Sequence, residues 1–335
     1  MPAARAVRTS TDPDQWEARD VDRDDFDQQV APYRRELLAH CYRMLGSVHD
    51  AEDLVQETFL RAWRAIDSYD AERASLRTWL YRIATNACLT ALKGRGRRAL
   101  PSGLVAAATD AQAPIELALD VPWLQPFPTS GDPAAALAAK GSLRLALVAA
   151  MQYLPARQRA VLVLRDVLDW SAADVAEALE TTPASVNSAL QRARARLAEV
   201  DVTEDDVDEP TDKEIKGIVD DYVRAFEAAD VQELSRLLAE RVVLEMPPAP
   251  LWFVGRDAYG AFIERVYAMR GPAWRMVPTT ANGQPAVGAY VRTDDGRYHP
   301  HTLQVFTVTR AGITHNITFF DQGLFEYFGL PSHLE

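Results

Sequence analysis

Apolar residues fall at helical spacing through most of the first half of the chain. Val30, Tyr33, Leu37, Leu38 and Cys41 share one face of a helix predicted from about Phe26 to Met44. A second run extends from His49 to about Ile66. Ser47 and Asp50 form an S-x-x-D capping pair at its start, and Leu54, Val55, Phe59, Leu60 and Trp63 supply its apolar stripe. A polar loop from Asp67 leads to Ser75, the cap of a third helix over Leu76–Lys93 whose inward face includes Leu80, Ile83, Ala84 and Ala87. Three helices with short connections make a compact bundle. From Ala99 to Gly131 the periodicity disappears, and Pro101, Pro114, Pro122, Pro126 and Pro128 surround an aromatic stretch, WLQPFP, beginning at Trp123.

A second helical block begins near Pro133 and ends near Val200. Leu143, Leu147, Ala150, Met151 and Leu154 form its first stripe, Pro155 interrupts it, and Gln158–Leu168 is strongly apolar. Ser171 and Asp174 cap a helix ending near Leu179. After a tight turn Thr182 caps the last helix, with Pro183 at its first position, where a missing N–H is harmless. Beyond the acid-rich stretch Asp201–Asp212 the pattern changes. Helices are predicted from Ile215, over Val231–Ala239 and over Asp257–Met269. Strands are predicted over Val242–Met246, Ala273–Thr280, Ala286–Arg292, Thr302–Thr309 and Ile313–Phe320, with Asn282-Gly283 and Ala311-Gly312 as turns. The expected architecture is multidomain: a disordered acidic N-terminus (1–25), an all-α bundle (26–98), a linker (99–132), an all-α helix-turn-helix block (133–200), an acidic linker (201–212) and an α+β domain (213–335).

Composition changes this picture little. The 335 residues are 48% hydrophobic and 25% charged, as in ordinary soluble domains. No apolar run approaches the roughly 18 residues needed to span a bilayer, so no membrane partner is expected. Cys41 and Cys88 lie in helical patterns without ligand spacing. They read as buried thiols of a cytoplasmic protein, with no metal site and no cofactor implied. The net charge of −12 argues against nucleic acid only if charge is uniform. It is not, because the acid concentrates at 12–27 and 201–212, leaving basic clusters between.

Those clusters carry candidate chemistry. Arg77, Trp79, Arg82 and Asn86 lie on the third helix, which ends in Lys93, Arg95, Arg97 and Arg98. Aromatic rings and cations together suit single-stranded DNA, whose unstacked bases need a π-face and whose backbone needs countercharge. The last helix of the second block presents Ser185, Asn187, Ser188, Gln191, Arg192, Arg194 and Arg196, and Arg, Asn and Gln can read base edges in a major groove.

The stretch HDAEDLVQETFLRAW (His49–Trp63) resembles region 2 of bacterial sigma factors, as does RTWL from Arg77. LPARQRAVLVLRDV from Leu154 and SVNSALQRAR from Ser185 resemble region 4 of the same family. The resemblance implies a promoter-specific initiation factor of the extracytoplasmic-function (ECF) type. Asp53, Leu54, Gln56, Glu57, Phe59 and Arg61 would hold the β′ clamp of core RNA polymerase, and region 4 would meet the β flap. Residues 67–98 would capture the −10 element and the last helix of region 4 the −35 element. The helices and strands after the acidic linker resemble the SnoaL-like branch of the NTF2-like fold. ANGQPA (Ala281–Ala286) and FGLP (Phe328–Pro331) resemble the SigG-type group of SnoaL-fused sigma factors. A Gly-rich DGGGK tract found in another fused group is absent from this sequence.

A SnoaL-like fold implies a pocket, for an unknown small ligand. Its candidate residues are Glu245, Trp252, Tyr259, His299, His301, His315 and Asp321, with His301 and His315 in phase with apolar strand positions and so expected to point inward. No acid–base pair can be assembled from spacing alone. The C-terminal domain is expected to regulate in cis, with the acidic tether competing with DNA for the basic surfaces. Two rival readings are a stand-alone helix-turn-helix regulator and a small-molecule enzyme with a DNA-binding appendage.

Overall fold

The computed structural model describes residues 23–129, 143–199 and 211–335. Most of the acidic N-terminus and acidic tether, and the predicted helix start near Pro133, lie outside these residues. The first expected helix is two: α1 (Arg23–Val30) and α2 (Arg34–Leu45), separated by a 3-10 turn at Ala31–Tyr33. Pro32 explains the break, since it has no N–H for the ladder. Helices α3 (Val48–Arg64) and α4 (Leu76–Ala91) complete the bundle. The Ser47 side chain accepts from the Asp50 amide at 3.1 Å, but the expected return bond is not made, because the Asp50 carboxylate is taken by Arg95 and Arg98. Both cysteines are buried.

The second block contains α5 (Leu145–Met151), α6 (Ala156–Leu162) continuing into a π turn at Val163–Val167, α7 (Ala172–Ala178) and α8 (Pro183–Glu199). The Ser171–Asp174 capping box forms in full, and Thr182 accepts from the Ser185 amide at 3.2 Å. The C-terminal domain has α9 (Asp212–Glu227), α10 (Val231–Leu237), β1 (Leu238–Glu245), β2 (Trp252–Val254), α11 (Arg256–Arg270), β3 (Trp274–Ala281), β4 (Gln284–Arg292), β5 (Tyr298–Thr309), β6 (Gly312–Phe319) and α12 (Leu324–Tyr327). The sheet order is β2-β1-β6-β5-β4-β3, antiparallel except for the parallel pair β1–β6.

The two faces of this sheet belong to different cores. Leu244, Met246 and Phe306 pack with α9–α11. Ala286, Leu303, Val305, Ile317 and Phe319 belong instead to one continuous core with both helical blocks and the linker. The linker is therefore no loose tether. Leu124 is fully buried, and the Gln125 amide donates to Gly46 O at 3.0 Å. Gly46 has φ +69°, and a Cβ there would stand 2.8 Å from Leu124, so a side chain would block this approach.

A pH dependence follows from His40, which is fully buried in the first bundle. Thr85 Oγ1 donates its proton to Tyr81 O, so His40 Nε2 must donate to Thr85, at 2.9 Å. His40 Nδ1 has no partner. Burial, with Arg43 second, lowers the His40 pKa from 6.5 to about 3. The unfolded chain therefore binds the extra proton first, and stability present above pH 6.5 is lost as pH falls towards the folded value. Urea unfolding should show a loss of up to about 3 kcal/mol between neutrality and about pH 4, and His40→Gln should flatten this slope.

Candidate functional site

The outer face of α3 differs from the sequence expectation at one point. Its buried line is Val48, Ala51, Val55, Thr58 and Ala62, while Leu54, Phe59 and Trp63 flank it half-buried. Leu60, expected in the apolar stripe, is 45% exposed. It continues the solvent-facing strip of Asp53, Gln56 and Glu57 at helical spacing. Glu57 accepts from Arg61 Nε at 2.7 Å. An acidic and amide strip ending in an exposed leucine suits docking on another protein.

Many of the cations on and after α4 are engaged inside the molecule. Arg77 forms a bidentate pair with Glu36 (2.8–3.0 Å) and lies over the Tyr81 ring. Arg82 stands 3.7 Å from Glu177 of α7. Arg95 and Arg98 share the Asp50 carboxylate, and Arg98 also donates to Trp123 O. Arg97 donates to Gly103 O and stacks on Tyr153. Trp79 is half-buried against Tyr69, whereas Asn86 and Lys93 are exposed. The last helix of the second block, α8, is different. Ser185, Asn187, Ser188, Gln191, Arg192, Arg194 and Arg196 are all exposed, with Arg194 alone in a bidentate pair, to Asp166.

The two helical blocks touch directly. Arg159, 4% exposed, donates to Met44 O of the first block and to Gln152 Oε1, Gln152 O and Leu154 O of the second. Burial lowers its pKa to about 10, still charged at neutrality. Trp170 meets Tyr81 edge to face, ring centroids 6.1 Å apart. The β3–β4 turn completes the junction. Asn282, fully buried with φ +57°, donates to Tyr42 Oη (2.9 Å) and Leu143 O (2.6 Å) and accepts from the Phe127 amide (2.8 Å). Its own amide donates to Phe127 O. Spacing alone marks this dipeptide as a turn and gives no sign of the junction.

Among the seven pocket candidates, only His301 lines the C-terminal cavity, which measures about 430 Å³. A bulge at His301 breaks the expected phase: Ala289 pairs with Thr302 and Tyr290 with Pro300, so His301 joins the cavity while Leu303 and Val305 face the other core. The Nδ1 atom of His301 has no partner, and burial, with Arg270 second, lowers its pKa to about 4. A second bulge puts Ile313 in one core and Ile317 in the other. His315 is absent from the cavity lining and pairs with buried Glu245 at 3.0 Å, so the inward expectation fails for it. Glu245 also accepts from the Ser102 amide of the linker. Trp252 Nε1 donates to Val105 O of the linker, and Asp321 meets His49 of α3 and Gln125, each at 3.4 Å. His299 pairs with Asp295 at the surface. Tyr259 is buried behind the cavity. Tyr222 donates to Gln304, leaving Tyr259 to donate to Tyr222 and to accept from Asn316.

Two all-α modules, one of them a helix-turn-helix, joined to an NTF2-like α+β domain define a sigma-70-type initiation factor. Family models agree: Sigma-70 region 2 matches residues 30–98, Sigma-70 region 4 residues 144–197, and the SnoaL-like domain residues 219–320. The ECF RNA polymerase sigma factor SigG of Mycobacterium tuberculosis is 45% identical over 324 residues, covering 95% of this chain and 87% of that protein. SigM of the same species is 33% identical over 177 residues, covering 53% and 77%. The crystal structure of M. tuberculosis SigJ shares the fold, with TM-score 0.62 at 24% identity over 91% of this chain and 99% of that one. The chain belongs to the ECF family of RNA polymerase sigma factors. It is a transcription factor that binds core RNA polymerase and promoter DNA and directs promoter-specific initiation, and it carries a fused SnoaL-like domain. Among the described residues no helix is long and apolar enough to cross a membrane.

The Asn282 network should be measurable. Asn282→Ala removes three side-chain hydrogen bonds at a buried junction and puts at positive φ a residue that tolerates it less well than Asn, and should weaken the junction by about 2–4 kcal/mol. Small-angle scattering should then report a larger radius of gyration than for the unsubstituted protein.

Proposed function

We propose that this compact arrangement is a resting state imposed in cis by the SnoaL-like domain. The observation that carries the reading is the direct contact of regions 2 and 4 around Arg159. Promoter elements centred near −10 and −35 lie about 85 Å apart along B-DNA at 3.4 Å per base pair. Modules joined through a buried guanidinium cannot read both at once, so they must separate on the polymerase. The contacts of Arg82 with Glu177, Arg97 with Tyr153 and Arg98 with Trp123 O support the same reading, because they tie cations of region 2 to region 4 and the linker.

In the open state, Asp53, Leu54, Gln56, Glu57, Phe59 and Arg61 hold the β′ clamp, with Leu60 added on its exposure. Residues 67–98 trap the −10 element, α8 docks on the −35 duplex, and region 4 meets the β flap. The protein acts in the cytoplasm. Besides the acidic tether, Asp50, Glu36 and Glu177 compete for arginines of region 2.

Two measurements test this. Asp53→Ala and Glu57→Ala should lower capture of core polymerase in a pull-down by about tenfold or more, with urea stability little changed. In a reconstituted transcription assay, removing residues from about 205 onward should change promoter-dependent output, and Asn282→Ala should raise it. No change in either variant would overturn regulation in cis while leaving sigma activity untouched.

A further inference from the structure

The SnoaL-like cavity is not walled by its own domain alone. Ile115 and Leu117, from the linker between regions 2 and 4, form part of its lining. The linker is fixed across the mouth like a strap. The Ala108 amide donates to Trp252 O at 2.8 Å and the Ala118 amide to Pro248 O at 3.0 Å. Arg265, itself a lining residue, donates to Ala111 O and Ala113 O. The rest of the wall is largely apolar, including Phe226, Phe262, Trp274 and Phe320. The polar groups of the lining are Thr302, Thr318, Gln304, Asn316, which is engaged by Tyr259, Gln304 and Thr318, and the neutral imidazole of His301, whose Nδ1 has no partner. Arg265 and Arg270 are the charged residues of the lining, and Arg270 stands exposed beside half-exposed Met269 and Leu117.

A cavity of about 430 Å³ with an apolar body and a cationic edge fits a compact amphipathic anion. We propose that it binds a small organic monocarboxylate whose apolar part lies between the sheet and Ile115/Leu117, and that binding fastens the linker in its closed position. The cavity exists with the strap in place, so a ligand gains the strap's side chains only when the strap is docked. By linkage, occupancy then favours the docked strap. This rests on the resting-state reading above and adds to it a ligand and a sign: the ligand holds the factor inactive.

The test uses the full chain and decanoate as probe, with decanol as its uncharged counterpart, in titration calorimetry. Decanoate should bind at a single saturable site. The double substitution Ile115→Ser with Leu117→Ser, in half-exposed and exposed linker positions, should weaken it by about tenfold or more. Arg270→Gln should weaken decanoate and leave decanol unchanged. Hydrogen exchange at the Ala108 and Ala118 amides should slow on binding. Absence of saturable binding, equal affinity for the double variant, equal loss of both probes in Arg270→Gln, or faster exchange at those amides would each overturn the proposal. Such a result beside a positive truncation assay would remove the ligand and leave regulation in cis standing.

Discussion

A buried amide must find partners for its donors and acceptor, and at Asn282 they come from different parts of the chain. Tyr42 belongs to region 2, Phe127 to the linker and Leu143 to the approach to region 4. Tyr42 in turn donates to Gln125 O, so the linker is fastened from both sides of the same hydroxyl–amide pair. Separating any one of these segments leaves polar atoms without partners in a site that excludes water. That cost makes the hairpin tip a joint of the whole molecule rather than the end of a loop. The positive φ at Asn282, which Asn tolerates better than most side chains, is what aims the amide into the junction.

The sheet behind that hairpin serves two cores because two bulges divide its strands. At His301 the extra residue lets neighbouring residues of β5 line the cavity, and on β6 the shift between Ile313 and Ile317 hands one to the pocket domain and the other to the sigma domains. The same face that buries Ile317 and Phe319 presents Glu245 to the linker amide of Ser102. Pocket and docking surface are thus opposite sides of one thin layer, which makes coupling between them a matter of direct contact.

Much of this was legible in the sequence, for identifiable reasons. Capping residues Ser47, Ser75, Ser171 and Thr182 act locally, so they located helix starts. The five longer strands and the Asn-Gly turn followed from period-two alternation and turn chemistry. Strand β2, with only three residues, gave no period to detect. Leu60 was misplaced because helical spacing leaves a residue at the stripe's edge undecided until a partner surface is known. Of the pocket candidates only His301 reaches the cavity. Trp252, Glu245 and Asp321 are polar or aromatic residues in a domain expected to hold a ligand, yet their partners Val105, Ser102 and His49 lie far away in sequence. No local pattern records such a contact.

The strengths of the contacts decide where a switch can act. Arg95 and Arg82 are more than a third exposed, and ion pairs of that kind contribute about 0–1 kcal/mol each. Phosphate or polymerase carboxylates could exchange for Asp50 or Glu177 at little net cost. Arg159 and Asn282 are different: both are buried, and each would leave several unsatisfied groups if one side withdrew. The surface pairs therefore set which cations are free, while the buried pair sets whether regions 2 and 4 can part. Region 4 keeps the polar and basic side chains of α8 exposed. In the proposed resting state the constraint on promoter reading lies in separation of the modules, and the linker that joins them is in direct contact with the C-terminal domain.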